Sequence, residues 1–167
     1  MTIRTKAGVE LSHDDLVERA AGWLRQGHAV VITEMGGSEK ADAIGFMAYG
    51  GTTLIECKTS RVDFFADQKK YCRRFAKNGI GSHRYYLTPP GILSIDEVPD
   101  AWGLLEVHGR QIHCLLKSAH FPELNFTQEQ QILISLIRRI GQQQPQGVSI
   151  KFYTYQTGNT ATCGVLL

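Results

Sequence analysis

The chain has 167 residues, 43% of them hydrophobic and 20% charged. That suits a single domain, residues 1–167, with a core large enough to fold without disulfide or metal staples. A formal charge of +2 names no partner by itself, so any basic surface must be local. No apolar stretch approaches a membrane span, and no apolar h-region follows Arg4 and Lys6, so neither a secreted nor an integral-membrane protein is expected. Cys57, Cys72, Cys114 and Cys163 lie far apart, without a CxxC pair or zinc-finger histidine spacing, and read as reduced thiols of a cytoplasmic protein.

In chain order, Ser12 and Asp15 form a capping-box pattern that opens a first helix, with Leu16, Val17, Ala20, Ala21 and Leu24 at helical spacing and Gly27 closing it. Ala29–Thr33 is a short β-branched strand. Ala41–Tyr49 and Thr52–Lys58 are strand-like runs joined through Gly50-Gly51, a hairpin signal. Ser60 caps a second helix expected to run to about Lys77 and to end at Asn78-Gly79. Arg84–Thr88 is a strand stopped by Pro89-Pro90-Gly91. Trp102–His108 and Gln111–Leu116 flank Gly109-Arg110 as a further hairpin. Thr127 and Gln130 form a second capping-box pattern ahead of Ile132, Leu133, Leu136, Ile137 and Ile140, and Val148–Tyr155 is a last strand. The order α-β-β-β-α-β followed by β-β-α-β predicts an α/β fold with a mixed central sheet.

The chemistry concentrates between Asp42 and Tyr71. Residues i and i+2 of a strand share a face, so Glu56 and Lys58 project together, while Ile55 and Cys57 turn into apolar packing. Two carboxylates and a lysine suit phosphodiester hydrolysis: hard oxygens hold Mg²⁺, and the ammonium orients or activates the attacking water. Acid-x-Lys triplets are common, and Asp67-Gln68-Lys69 is another. It lies on a predicted helix, where i and i+2 diverge by about 200°, so it is not expected to form a joint site. The plain alternative for Glu56 and Lys58 is a solvated ion pair. Phe64, Gln68, Tyr71 and Phe75 fall on one face of the second helix. Gln68 and Tyr71 either border the core or reach a ligand water or phosphate oxygen beside Lys58.

Asp42-Ala43-Ile44-Gly45, then Thr53-Leu54-Ile55-Glu56-Cys57-Lys58-Thr59-Ser60, then Gln68-Lys69-Lys70-Tyr71 resembles the PD-(D/E)xK, or restriction-endonuclease-like, nuclease superfamily. The resemblance covers residues 12–90, with 91–167 as elaboration, and departs from the family pattern in having Ala41, not Pro, before Asp42. It implies an αβββαβ core in which Asp42 and Glu56 bind Mg²⁺ (with Mn²⁺ substituting), Lys58 serves catalysis, Gln68 assists and Tyr71 is auxiliary. It further implies a first-helix metal ligand, Glu18, whose other reading is a solvent-facing carboxylate near Arg19 and Arg25.

Charge points the same way. Arg61, Lys69, Lys70, Arg73, Arg74, Lys77 and Arg84 face only Asp63 and Asp67 in their segment, an excess of five cations in a chain of net +2. Lys70, Arg73 and Lys77 follow i, i+3, i+7 and form one stripe of the second helix, and with Lys69 and Arg74 they are the expected contacts to a phosphate backbone. Gly36-Gly37-Ser38-Glu39-Lys40 lacks P-loop spacing, and His108 with His113 has no third metal ligand in view. Tyr85, Tyr86 and Trp102 are expected in strand packing. Cys57 is expected to be a small buried hydrophobe.

These features predict a Mg²⁺-dependent deoxyribonuclease whose partner is DNA, with no membrane partner and a homodimer left open. The rivals are a nucleic-acid-binding or inhibitory module on the same fold, and an unrelated α/β protein with a chance ExK. One geometric condition decides whether the site can exist. In a strict two-residue Gly50-Gly51 hairpin, Asp42 pairs with Thr59 and lies on the face away from Glu56 and Lys58. A shared Mg²⁺ needs ligand oxygens about 2.1 Å from the ion. A one-residue correction is therefore required, from a three-residue loop with a positive-φ glycine or from a bulge at Gly45, and the two carboxylates should then converge.

Overall fold

Alternation along the strands sorts the side chains onto two faces of one sheet. A computed structural model describes residues 11–33, 41–141 and 150–152. Helix α1 (His13–Leu24) is followed by β1 (Val30–Thr33), β2 (Ala43–Phe46) and β3 (Thr52–Cys57). Two helices, α2 (Arg61–Gln68) and α3 (Tyr71–Arg74), and a 3₁₀ turn (Ala76–Asn78) lead to β4 (His83–Thr88). A 3₁₀ turn (Ile95–Glu97), β5 (Gly103–His108), β6 (Gln111–Leu116), α4 (Phe126–Gly141) and β7 (Ile150–Phe152) complete the described chain. The predicted α-β-β-β-α-β, β-β-α-β order is therefore present, with the second helix in pieces. The Gly36–Lys40 segment, Cys163 and the outer parts of Val148–Tyr155 lie outside the described residues.

The sheet is mixed and seven-stranded, in the order β6-β5-β4-β3-β2-β1-β7. Strands β1, β2 and β3 form an antiparallel meander, β4 joins β3 and β5 joins β4 in parallel, and β6 and β7 close the two edges antiparallel. Parallel pairs need crossovers, supplied here by α2–α3 and by the Pro89–Ala101 connection. On one face α1 packs Leu16, Val17, Ala20 and Leu24 against Val31, Ala43, Ile55, Cys57 and Leu87. On the other, Ile32, Ile44, Leu54, Tyr86 and Leu104 meet Phe64 of α2, Trp102, Phe121, and Ile132 and Leu136 of α4. Every residue of β3 is buried, as expected of a central strand covered on both faces.

The caps explain the helix starts. Ser12 Oγ accepts the Asp15 N–H at 3.1 Å, and Asp15 returns a carboxylate to Ser12 N at 2.9 Å. Ser60 Oγ accepts Asp63 N. At α4 the cap is Asn125, whose Oδ1 accepts Gln128 N at 3.0 Å, and not the expected Thr127. The Asn side chain satisfies a first-turn amide, that of Gln128, and sets the helix start two residues earlier.

The second helix departs most from expectation. It stops at Gln68, and Lys70 takes an extended conformation (φ −61°, ψ 144°) before α3 begins. The single face through Phe64, Gln68, Tyr71 and Phe75 is broken: Phe64 is fully buried, while Tyr71 is 69% and Phe75 49% exposed. The Lys70–Arg73–Lys77 stripe is broken with it. Among the described residues no helix is long and apolar enough to cross a membrane, and Cys57, Cys72 and Cys114 form no disulfide.

Candidate functional site

The hairpin register supplies the one-residue correction. Ala43 pairs with Ile55, Ile44 with Leu54, Gly45 with Thr53 and Phe46 with Thr52. One further step puts Asp42 opposite Glu56. Met47 N donates to Gly51 O at 3.0 Å, so the turn proper is Ala48-Tyr49-Gly50, with Gly50 and Gly51 at φ +94° and +93°. The correction is made in the loop, and Gly45 is not a bulge. Gly45 is instead required by packing, because a Cβ there would lie 2.6 Å from the His28 ring.

Glu56 and Lys58 are 1% and 4% exposed, which removes the solvated-ion-pair alternative. Lys58 Nζ lies 3.2 Å from Glu56 Oε2, 3.5 Å from Asp67 Oδ1 and 3.9 Å from Asp42 Oδ2. Three strand and helix ends thus deliver three carboxylates to one ammonium. Asp42 is held from the other side: its Oδ2 accepts the Cys57 N–H at 2.8 Å, and its Oδ1 faces His13 Nε2 at 3.3 Å.

Asp67, set aside in the sequence reading, is central. Its carboxylate receives Arg73 Nε at 2.8 Å and Tyr86 OH at 3.0 Å, and sits 2.6 Å from Lys70 Nζ. Arg73 Nη2 reaches Glu56 Oε1 at 2.9 Å, and its guanidinium lies over the Trp102 ring at 5.0 Å. Trp102 in turn stacks on Tyr86 at 4.5 Å. Arg73 is therefore a wall of the site and not a surface contact for a phosphate backbone. The α2–α3 break turns it inward.

Burial raises the Glu56 carboxyl to about 7, an effect that Arg73 and Lys58 only partly oppose. Burial also works against the Lys58 ammonium, but Glu56, Asp67 and Asp42 outweigh it and push its pKa up to about 12. Asp67 is buried too, yet Arg73 and Lys58 hold it well below the usual carboxylate range. Of the two acids sharing these cations, the proton goes to the more deeply buried Glu56.

The remaining expected residues are distributed differently. Glu18 is 65% exposed on α1, 4.0 Å from Arg25, on the helix that covers the opposite face of the sheet. It is not brought to the cluster, and the α1 residue that reaches Asp42 is His13. Gln68 is half-buried and forms no hydrogen bond to the cluster among the described residues; its neighbour Asp67 takes that place. Tyr71 points to solvent. Lys69, Lys70, Arg74 and Lys77 are exposed, whereas Arg61 pairs with Glu97 and Arg84 is buried on the carbonyls of Gly81, Ala76 and Gly79. His108 stacks on His113 at 4.4 Å and bonds Glu106. Cys57, Tyr85, Tyr86 and Trp102 are buried, as expected.

Sequence reasoning missed Asp67, Arg73, Tyr86 and His13 as members of one cluster. One signal for Asp67 was available: it lies three residues after Phe64, on the buried face, where a carboxylate demands a partner.

Among the described residues, no three His, Cys, Asp or Glu side chains form a metal-holding group. A hard cation of the Mg²⁺ type takes one or two carboxylates and keeps water for the rest. Asp42 and Glu56, both beside Lys58 Nζ, are the carboxylates of that chemistry here, and the Glu56 oxygens already face Lys58 and Arg73.

No family model matches the chain, and no curated protein matches it. Among solved structures it is similar to the SPO1766 protein of unknown function from Silicibacter pomeroyi, at 20% identity and a TM-score of 0.60, over 83% of this chain and 97% of that one. At that identity the likeness shows a shared α/β fold and no more.

Proposed function

We propose that this chain is a divalent-metal-dependent nuclease that hydrolyses DNA phosphodiester bonds on a restriction-endonuclease-like, PD-(D/E)xK-type fold. The observation that carries the reading is the β2–β3 register, which sets Asp42 opposite Glu56 with Lys58 Nζ within 4.0 Å of both carboxylates. The α-β-β-β-α-β order and the local excess of cations support it.

Asp42 and Glu56 would hold the metal. A bound Mg²⁺ supplies charge neutralisation at the phosphate and acidifies its water. With a pKa of about 12, Lys58 stays charged at neutral pH and serves by orienting the attacking oxygen and offsetting developing negative charge. Asp67 and Arg73 position Lys58 and Glu56, and Trp102 and Tyr86 keep bulk water from that side.

The test is incubation of circular and linear DNA, single- and double-stranded, with Mg²⁺ or Mn²⁺. Cleavage should require the metal. It should fall by about 10²-fold or more in Lys58→Ala, as for other removals of a preorganised charge. Asp42→Asn, at a partly exposed position, should lose cleavage with its thermal melt retained. A wild-type protein inactive on every DNA form with both metals would sink the proposal. A second reading, a binding module without hydrolysis, is favoured by one contact: Arg73 Nη2 already occupies Glu56 Oε1, an oxygen a metal would need, at 2.9 Å. Metal-independent DNA binding without cleavage is its signature.

A further inference from the structure

Two aromatic rings at the rim of the cluster stand in solvent. Tyr71 and Phe75 are 69% and 49% exposed and lie against each other, with ring centroids 5.1 Å apart. Their exposure follows from the break at Lys70: the helix face that buries Phe64 does not continue, and α3 carries both rings outward. Leaving two large rings exposed side by side costs solvation that an isolated surface residue does not.

The surroundings say what covers them. Residues 69–77 contain Lys69, Lys70, Arg73, Arg74 and Lys77 and no carboxylate. The Arg73 side chain is buried in the cluster; the other four residues are exposed. The cationic surface is continuous with the site, because Lys70 Nζ lies 2.6 Å from Asp67 Oδ1 and 4.0 Å from Glu56 Oε2, and Tyr71 is the next residue. Aromatic faces interleaved with ammonium and guanidinium groups match a polyanion carrying flat apolar rings. A second copy of the same patch would set like charges against each other.

We infer that Tyr71 and Phe75 are a base-stacking platform for single-stranded DNA, whose backbone runs along Lys69, Lys70, Arg74 and Lys77 to the Glu56–Lys58 cluster. The inference rests on the nuclease reading of that cluster and names its substrate class. Only unpaired bases have a face free to stack on a protein ring; in a duplex both faces are covered by neighbouring pairs.

The experiment is fluorescence anisotropy with a labelled oligothymidylate and a blunt duplex of equal length, with chelator present so that nothing is cut. The single strand should bind more tightly. Tyr71→Ala and Phe75→Ala should each weaken it by about five- to a hundredfold, while Tyr71→Phe, which keeps the ring, retains wild-type affinity. Tyr49→Ala, an exposed ring in the β2–β3 loop, should change nothing. Equal affinity for the duplex, or unchanged binding in both alanine variants, overturns the platform. So does a dimer that Tyr71→Ala dissociates. Cleavage is read separately: ring-dependent binding without cleavage keeps the platform and removes the hydrolysis, and cleavage unaffected by both alanine variants does the reverse.

Discussion

Glu56 is buried more completely than its cationic neighbours can offset, and this makes it a source of pH-dependent stability. Its carboxyl is raised from 4.5 to about 7 in the folded chain. Between those values the native state holds a proton that the unfolded chain has lost, so stability falls as pH rises through the window. Asp67 contributes nothing there, because its lowered pKa leaves it ionised in both states. His28 and His83, depressed by burial, act in the opposite direction near 6.5. The informative measurement is therefore a difference: denaturant melts of wild type and Glu56→Gln from pH 4.5 to 7.5. Relative to the Gln variant, wild type should lose on the order of 3 kcal/mol across the range. A constant difference would mean that Glu56 is ionised throughout, fully compensated by Arg73 and Lys58. At this scale Glu56, Lys58 and Asp42 were legible because strand alternation is local. Asp67 and Arg73 were not, since each acquires its role from partners far away in sequence: Lys58 and Tyr86 for one, Glu56 and Trp102 for the other.

Among the elements, the β2–β3 hairpin was the most readable and the second helix the least. Gly50-Gly51 announces a turn, and the requirement that Asp42 and Glu56 share a face leaves a three-residue loop or a bulge at Gly45, of which the structure has the loop. Nothing of comparable strength marks the break after Gln68, where two lysines with good helix propensity interrupt the helix. The break goes with tertiary contacts: beyond it Arg73 reaches both Asp67 and Glu56, whereas the Lys70–Asp67 contact has the i,i+3 spacing that an unbroken helix also allows. Gly45, one of the two places where the sequence allows the register correction, instead makes room for His28. That imidazole joins α1 to β3, with Nδ1 at 2.8 Å from Leu24 O and Nε2 at 2.8 Å from Thr53 Oγ1, directly across from Gly45. Gly45→Ala should therefore cost about 1–3 kcal/mol as an overpacked contact, and most of that cost should vanish in a His28→Ala background. A double-mutant cycle measures it. Equal costs in both backgrounds would place the constraint in the β2 backbone and not in the ring.

For the molecule as a whole, residues beyond 90 are not an elaboration laid on a finished core. Half of the apolar cluster on the Glu56 face comes from that region, Trp102, Leu104, Phe121, Ile132 and Leu136 among it. The region also reaches back polar groups: Glu129 of α4 accepts from Thr52 Oγ1 at 2.7 Å and Gly81 N at 2.8 Å, tying α4 to the starts of β3 and β4. Parallel strand β5 covers the edge of β4 that would otherwise be left unpaired. The site depends on this too, because Trp102 backs both Tyr86 and Arg73. Without that ring, Arg73 would face water and lose the hold that keeps it between Glu56 and Asp67. Trp102→Ala should cost about 3–5 kcal/mol, the range for a large buried aromatic. It should also release Arg73, lowering cleavage by more than the fraction of unfolded protein accounts for. A chain ended at residue 90 should show no cooperative thermal or denaturant transition by near-UV circular dichroism, although it contains the whole α-β-β-β-α-β sequence. A sharp, native-like transition in that fragment would show that the first ninety residues close their own core, and that the Trp102–Arg73 contact is dispensable to the site.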